Sequence, residues 1–279
     1  MTPVVRKMNL ADLELALEWA QAEGWGPGKG DAAAFFAADP DGFWALELDG
    51  EMVASLSAVG YPGGVHFMGF YIVRPDHRKT GLGLQLWKQV WQQLDGLVLG
   101  GDAVLEQLAN YERYGFVAAY RNIRYVGLPP ESEPASCELV KATEVELSAV
   151  ADYDASNFFG RRSDFLRQWI APVDRRSLVA LNAAGAIVGF GVIRPSDGID
   201  RVGPLFADSQ EIARELLIGL GEGSTREIGI DVPLPNSAGV DLVKSLGFAP
   251  GFETARVYRG EDPRLPLDRI FGVTSLELG

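Results

Sequence analysis

"FMGFYIVRPDHRKTGLGLQLWKQVWQQL", residues Phe67 to Leu94, decides how this chain is read. Phe67 to Val73 is an apolar, aromatic run of strand length, and Arg74, Pro75 and Asp76 carry a turn signal. "HRKTGLG" then leads into a helical pattern in which Leu82, Leu86, Val90 and Leu94 recur every four residues. The first turn of a helix leaves N–H groups without partners and lies at the positive end of the macrodipole, so strand, glycine loop and helix in that order make an anion site. Gly81 and Gly83 lack a Cβ and let a diphosphate approach the backbone, while Arg78 and Lys79 add charge at the rim.

Two common phosphate loops are ruled out. A dinucleotide fingerprint needs glycine where Leu86 stands, and a Walker loop needs Gly-Lys-Ser/Thr. What remains, Arg-x-x-Gly-x-Gly at a strand-to-helix junction, resembles the pyrophosphate loop of the GNAT superfamily of acyl-CoA-dependent N-acetyltransferases. The resemblance implies that acetyl-CoA is the cosubstrate, held at its diphosphate by Arg78, Lys79, Thr80, Gly81, Leu82, Gly83 and Leu84. It also implies that the strand backbone at Tyr71, Ile72 and Val73 meets the pantetheine, with an N–H near Tyr71 or Ile72 polarising the thioester carbonyl. Tyr-x-x-x-Gly-Phe, a second family pattern, is matched by Tyr111, Gly115 and Phe116 in "LEQLANYERYGF". In the family that tyrosine protonates the departing thiolate; a phenol of ordinary pKa about 10 can do so when the pair is held dry and close. One departure is visible: the asparagine that often precedes this tyrosine falls near Val104 and Leu105.

With 279 residues, 47% hydrophobic and 23% charged, the chain suits one large or two medium domains. No apolar run reaches the roughly 18 residues of a membrane span, and "MTPVVRKMNLADLE" lacks a signal-peptide core, so a cytoplasmic protein without membrane contact is expected. One cysteine, Cys137, and two histidines argue against a disulfide or zinc site, and no metal is expected. Net charge −13 opposes nucleic-acid binding and would draw in a cationic acceptor.

Taken in order, Val4 to Lys7 reads as a strand and Asn9 or Ala11 to Glu23 as a helix. The glycine-rich "EGWGPGKGD" reads as a tight, mobile surface loop, and Asp31 to Ala38 as a short helix. Two strands about Asp49-Gly50 make a hairpin, and Gly96 to Val104, Leu105 to Tyr114 and Phe116 to Leu128 complete a strand, a helix and a strand. This is the GNAT order. By that resemblance Trp25 is a wall of the acceptor pocket; by packing alone it fixes the loop to the core. "GLPPESEPAS" holds three prolines and little that could pack. The chain therefore divides into a catalytic domain over 1–128, a linker over 129–136 and a second domain over 137–279.

The second half repeats the first. Aligning Phe116 with Phe248 also lays "VRPD" at Val73 over "LFAD" at Leu205, so two landmarks share one spacing. The fold class expected is α+β: two tandem GNAT-like domains, each a mixed, mostly antiparallel sheet between helices. At that register Gly83 meets Glu215 and Tyr111 meets Val243, so the second half loses both the anion cradle and the acid.

The expected activity is direct transfer of an acetyl group from acetyl-CoA to an amine, small molecule or peptide, within the first half; a non-catalytic acyl-CoA sensor is the alternative. An acyl or aminoacyl transferase of the duplicated kind is a third reading, and an oligomer is compatible with all of them. A base must first deprotonate the amine. Phe67 occupies the position of the family's glutamate, so Asp102 is the candidate carboxylate. His66 points to the opposite strand face and His77 serves the turn.

Overall fold

The computed structural model describes residues 2–131 and 135–279, so Ser132, Glu133 and Pro134 of the expected linker lie outside the described residues. The first half runs β1 (Val4–Lys7), α1 (Leu10–Ala22), α2 (Asp31–Ala38), β2 (Phe43–Leu48), β3 (Glu51–Gly60), β4 (Val65–Val73), α3 (Leu82–Trp91), β5 (Val98–Val104), α4 (Leu108–Arg113) and β6 (Val117–Gly127). The second runs β7 (Glu138–Lys141), α5 (Leu147–Ala155), α6 (Ser163–Ile170), β8 (Arg176–Leu181), β9 (Ile187–Arg194), β10 (Asp200–Ala207), α7 (Gln210–Gly221), β11 (Ile228–Pro233), α8 (Ser237–Ser245), β12 (Ala249–Arg259) and β13 (Ile270–Gly272).

Local chemistry sets these boundaries. Asn9 and Asp12 form a reciprocal capping box that starts α1. Asp49 and Gly50 both take positive φ, 57° and 84°, as the two-residue hairpin turn requires. β3 is buried from Met52 to Val59, as a strand with helices over both faces must be, and α3 presents Gly83, Leu86, Trp87 and Val90 to the sheet.

The two halves exchange their last long strands. The sheet order is β1-β2-β3-β4-β5-β12-β6-β11-β10-β9-β8-β7, so β12 extends the first half's sheet and β6 the second's. Each half therefore contains a strand that the other half's sequence supplies. A buried ion pair marks each junction, and the two are equivalent. Arg256 on β12 lies directly across from Asp102 on β5, and Arg124 on β6 directly across from Asp231 on β11. Arg124 and Arg256 sit 132 residues apart, the offset that also relates Phe116 to Phe248. The Asp102–Arg256 pair is fully buried, not a surface pair, because the strand exchange places it at the middle of the sheet.

Further contacts join the halves away from the sheet. Asp31, at the start of α2, accepts from the Gly28 N–H, from Arg175 at 3.0 Å and from Arg194 at 3.0 Å, and both guanidiniums stack on Trp169 at 4.6 and 4.5 Å. The glycine-rich loop over Gly24 to Gly30 is accordingly not a mobile connection. The Lys29 N–H donates to the Pro195 carbonyl, Ser196 Oγ to the Pro27 carbonyl and Arg124 Nη1 to the Trp25 carbonyl. Its glycines serve close approach: a Cβ on Gly28 would lie 2.5 Å from Arg194 Nε.

Candidate active site

β4 and β5 pair in parallel only from Val65–Met68 against Val98–Gly101, and beyond Met68 they part. The cause is local. The register of β4 against β3 shifts between Gly69 and Ile72, and Phe70 takes φ +48°, a region that bulky residues enter only when their surroundings enforce it. Ser55 Oγ donates to the Phe70 carbonyl at 2.6 Å and fixes the bulge. The V between the strands opens a cavity of about 930 Å³.

The N-terminus of α3 meets this cavity. Gly81 is the cap residue at φ +88°, with no side-chain cap, and the backbone N–H groups of Lys79 to Leu84 donate to no protein acceptor among the described residues. Arg78, Lys79 and Leu84 line the cavity; Thr80, Gly81, Leu82 and Gly83 complete the turn beside it. Gly83 is needed for packing as well, since a Cβ there would lie 2.7 Å from Val73 Cγ2 and 2.9 Å from Tyr71 Oη. Arg78 is bonded to the Val73 carbonyl and to Glu23, which places its charge at the mouth.

Tyr71, Ile72, Val73, Tyr111, Asp102 and Trp25 all line the same cavity. Tyr111 stands edge-on to Trp87 and Phe116, with centroids 6.2 and 5.3 Å away, and burial pushes its phenol up to about 12. Asp102 is differently placed. Its oxygens accept from Arg256 Nε and Nη2, both at 2.8 Å, and from Asn122 at 2.8 Å. Burial raises its pKa against the pull of Arg256, but taking a proton there breaks a bidentate pair at the seam. His66 and His77 are outside the lining; His77 meets Arg74 in the turn at 2.7 Å.

Among the lining residues unread in the sequence, those supplied by the second half are Phe252 and Thr254 from β12, and Leu276 and Glu277 from the tail beyond β13. The strand exchange brings the first two in. Glu277 had one available signal, as the single charge in the ten residues "IFGVTSLELG".

The corresponding region of the second half is built otherwise. Phe248 donates its N–H to the Val243 carbonyl as Phe116 does to Tyr111, so Val243 is the counterpart of Tyr111 as the sequence predicted. At the helix the expected register is corrected. The buried positions Gly83, Leu86, Trp87 and Val90 match Ala213, Leu216, Leu217 and Leu220, so Gly83 meets Ala213 and not Glu215. Glu215 instead accepts the Ser136 and Cys137 N–H groups. The phosphate loop has been shortened, and α7 begins at a Ser209 cap whose side chain accepts from the Ile212 N–H. Glu211, hydrogen-bonded to its own N–H and to Ser209, puts negative charge in that first turn. β10 and β11 also part, after Val202 and Ile230, but there β13 runs antiparallel to β10 and fills the opening.

Comparison with known proteins agrees with this architecture. Residues 11–116 match the model of the acetyltransferase (GNAT) family, and residues 150–272 match that of an acetyltransferase (GNAT) domain. The holothin acyltransferase of Pseudoalteromonas sp. (strain SANK 73390) is 32% identical over 275 residues, covering 97% of this chain and 92% of that protein. A solved Pyrococcus horikoshii protein classed with the acetyltransferases superposes with TM-score 0.82 at 21% identity, over 99% of this chain and 96% of its own. A tandem GNAT protein from the clavulanic acid biosynthesis pathway superposes with TM-score 0.64 at 16% identity, over 94% and 100%. No helix among the described residues is long and apolar enough to cross a membrane.

Proposed function

Since this chain belongs to the GNAT superfamily of acyltransferases, we propose that its first half transfers an acetyl group from acetyl-CoA to an amine and that its second half has lost that capacity. The observation that carries the reading is the set of N–H groups from Lys79 to Leu84, unpaired among the described residues and set beside the cleft where β4 leaves β5. Those donors, the positive helix end and the Lys79 and Arg78 side chains suit a diphosphate. In the second half a serine cap, Glu211 and β13 stand in the equivalent places. The similarity to the holothin acyltransferase supports acyl transfer, with acetyl as the first donor to test.

Bound acetyl-CoA supplies an activated carbonyl and a thiolate leaving group. The bulge at Phe70 turns the β4 backbone out of its ladder, so an N–H at Tyr71 or Ile72 becomes available to the carbonyl oxygen as negative charge develops. Tyr111, kept protonated by burial, gives its proton to the departing sulfur. Trp25 and Phe252 wall the acceptor side and orient the amine.

Calorimetry with acetyl-CoA is expected to show one site per chain. Gly83→Glu puts a carboxylate where the anion is held and forces the new side chain against Val73 and Tyr71. Affinity should fall roughly a hundredfold, about 3 kcal/mol; unchanged affinity in a folded variant sinks the assignment. Tyr111→Phe is expected to leave that affinity within about twofold and to lower the rate of free thiol release by roughly a hundredfold, the lower end of general-acid effects. An unchanged rate removes Tyr111 from the chemistry.

A further inference from the structure

The tail from Ile270 to Gly279 does two things in succession. β13 occupies the opening between β10 and β11, pairing Leu205 with Gly272 and Phe206 with Ile270, and the Val273 N–H donates to the Asp231 carbonyl at 3.0 Å. The chain then crosses to the first half, where Leu276 and Glu277 line the cavity beside β4. Its path is fixed at several points. Arg162 Nη2 donates to Thr274 Oγ1 at 2.8 Å, and Tyr61 Oη donates to the Leu278 carbonyl at 2.9 Å. A Cβ on Gly69 would overlap the Glu277 carbonyl oxygen, so the tail lies directly on the strand that carries the bulge.

Three carboxylates line the cavity: Glu23, Asp102 and Glu277. Glu23 is bonded to Arg78, and Asp102 is held by Arg256 and Asn122. Glu277 differs in that no side chain among the described residues locks it. Arg201 of β10 lies behind it, yet its Nε and Nη1 have no partner and its Nη2 is committed to Asp231. Trp25, Met68, Phe70, Phe252 and Leu276 are apolar walls of the same cavity.

We propose that Glu277 takes the proton from the acceptor's ammonium group, and that this wall selects a flat, apolar primary amine with no carboxylate of its own beside the nitrogen. The proposal rests on the reading that the first half transfers an acyl group. The ammonium N–H bond breaks, its proton passes to a Glu277 oxygen, and the freed nitrogen lone pair forms the C–N bond at the thioester carbonyl. The carbonyl π pair moves to oxygen and returns as the C–S bond breaks. The sulfur takes the Tyr111 proton, the phenolate recovers one from the new amide nitrogen, and Glu277 returns its proton to solvent. One proton is released per transfer.

Burial raises the Glu277 carboxyl above its ordinary 4.5, and Arg201 and then Arg194 of β9 pull it back while Asp31 of α2 pushes it up. Asp102 and Glu23, which line the same cavity, are each paired with an arginine. A deprotonated base is required, so the rate should rise with pH through a limb lying above 4.5. A second carboxylate beside the amine would meet Glu277 in a low-dielectric site and be rejected by like charge.

The test uses the full chain with acetyl-CoA and four probes: tyramine, tryptamine, tyrosine and tryptophan. Tyramine or tryptamine is expected to release thiol at least tenfold faster than its amino acid. Glu277→Gln should lower kcat by about a hundredfold and erase the acid limb, with acetyl-CoA affinity by calorimetry unchanged. Glu277→Asp, which keeps a carboxylate one methylene back, should recover at least tenfold over the glutamine variant. A glutamine variant with the parent rate and pH profile overturns the proposal, as do amino acids that match their amines, or four silent probes with acetyl-CoA bound. Failure of the parent protein to bind acetyl-CoA overturns instead the reading on which the proposal rests.

Discussion

Ending the chain at Arg269 should yield a protein that no longer unfolds cooperatively. The ten residues removed include Ile270, Phe271, Val273, Leu276 and Leu278, each 9% exposed or less. Full burial of an aliphatic or aromatic side chain contributes about 1.5–3 kcal/mol, so five amount to roughly 7–15 kcal/mol as an upper estimate. The net stability of a whole domain is about 5–15 kcal/mol. No surface adjustment offsets a loss of that size. The deletion also strips β10 of the strand that fills its opening and leaves Arg162 and Tyr61 without Thr274 and Leu278 as acceptors. Circular dichroism of the truncated chain should show no sigmoidal melt, and most of it should be found insoluble. A cooperative transition within about 2 kcal/mol of the full chain would mean that the tail is peripheral; the tail's role in the first-half cavity would then be lost too.

The first half was legible because its signals are local. An alternating or continuous apolar run, a glycine turn or a four-residue apolar period each names its element without reference to the rest, and Asp31–Ala38 and the Asp49-Gly50 hairpin appear as read. The strand exchange was not legible, since β6 and β12 have the same length and pattern whichever sheet they join. The arginines at 124 and 256 mark the exchange without deciding it, since each sits opposite an aspartate at an equivalent junction and either strand would find one in the other's place. The register error at α7 has a similar origin. A slip of two residues in a helix moves the polar face by about half a turn, but the loop was aligned on "VRPD" and "LFAD", where no periodicity constrains it. From the bulge at Tyr71 to the first buried helix residue, Gly83, is three residues longer than from Pro204 to Ala213. Such a deletion is invisible to any comparison made at one fixed offset. Of the site, the helix N-terminus, Tyr111 and Trp25 were readable from motif and order, whereas Phe252 and Glu277 reach the cavity only through the exchange and the returning tail.

Asp231→Asn should be the most damaging single substitution in the seam. Asp231 accepts from Arg124 Nε at 2.9 Å and from Arg124 and Arg201 through its second oxygen, and all three side chains are at most 7% exposed. Removing this anion leaves two buried guanidiniums without the carboxylate that bonds both, and Arg201 already has two nitrogens unpartnered. Breaking a buried pair in this way costs about 3–5 kcal/mol, a large share of what holds a domain together. An exposed pair provides the contrast. Lys29 and Asp197 are 62% and 54% exposed, and Asp197→Ala should change stability by no more than about 1 kcal/mol. The acid response separates a charge effect from mere loss of shape. Burial opposes ionisation of Asp231, yet Arg124 and Arg201 hold its pKa below the ordinary 3.8. A carboxylate depressed in the folded state contributes stability that is fully present above its unfolded value and is lost as pH falls through the folded one. Urea midpoints measured between pH 7 and pH 2.5 should therefore fall more steeply for the parent than for Asp231→Asn below about pH 4. Parallel curves would show that Asp231 is packing, not charge, and the two halves would then be joined by strand pairing alone.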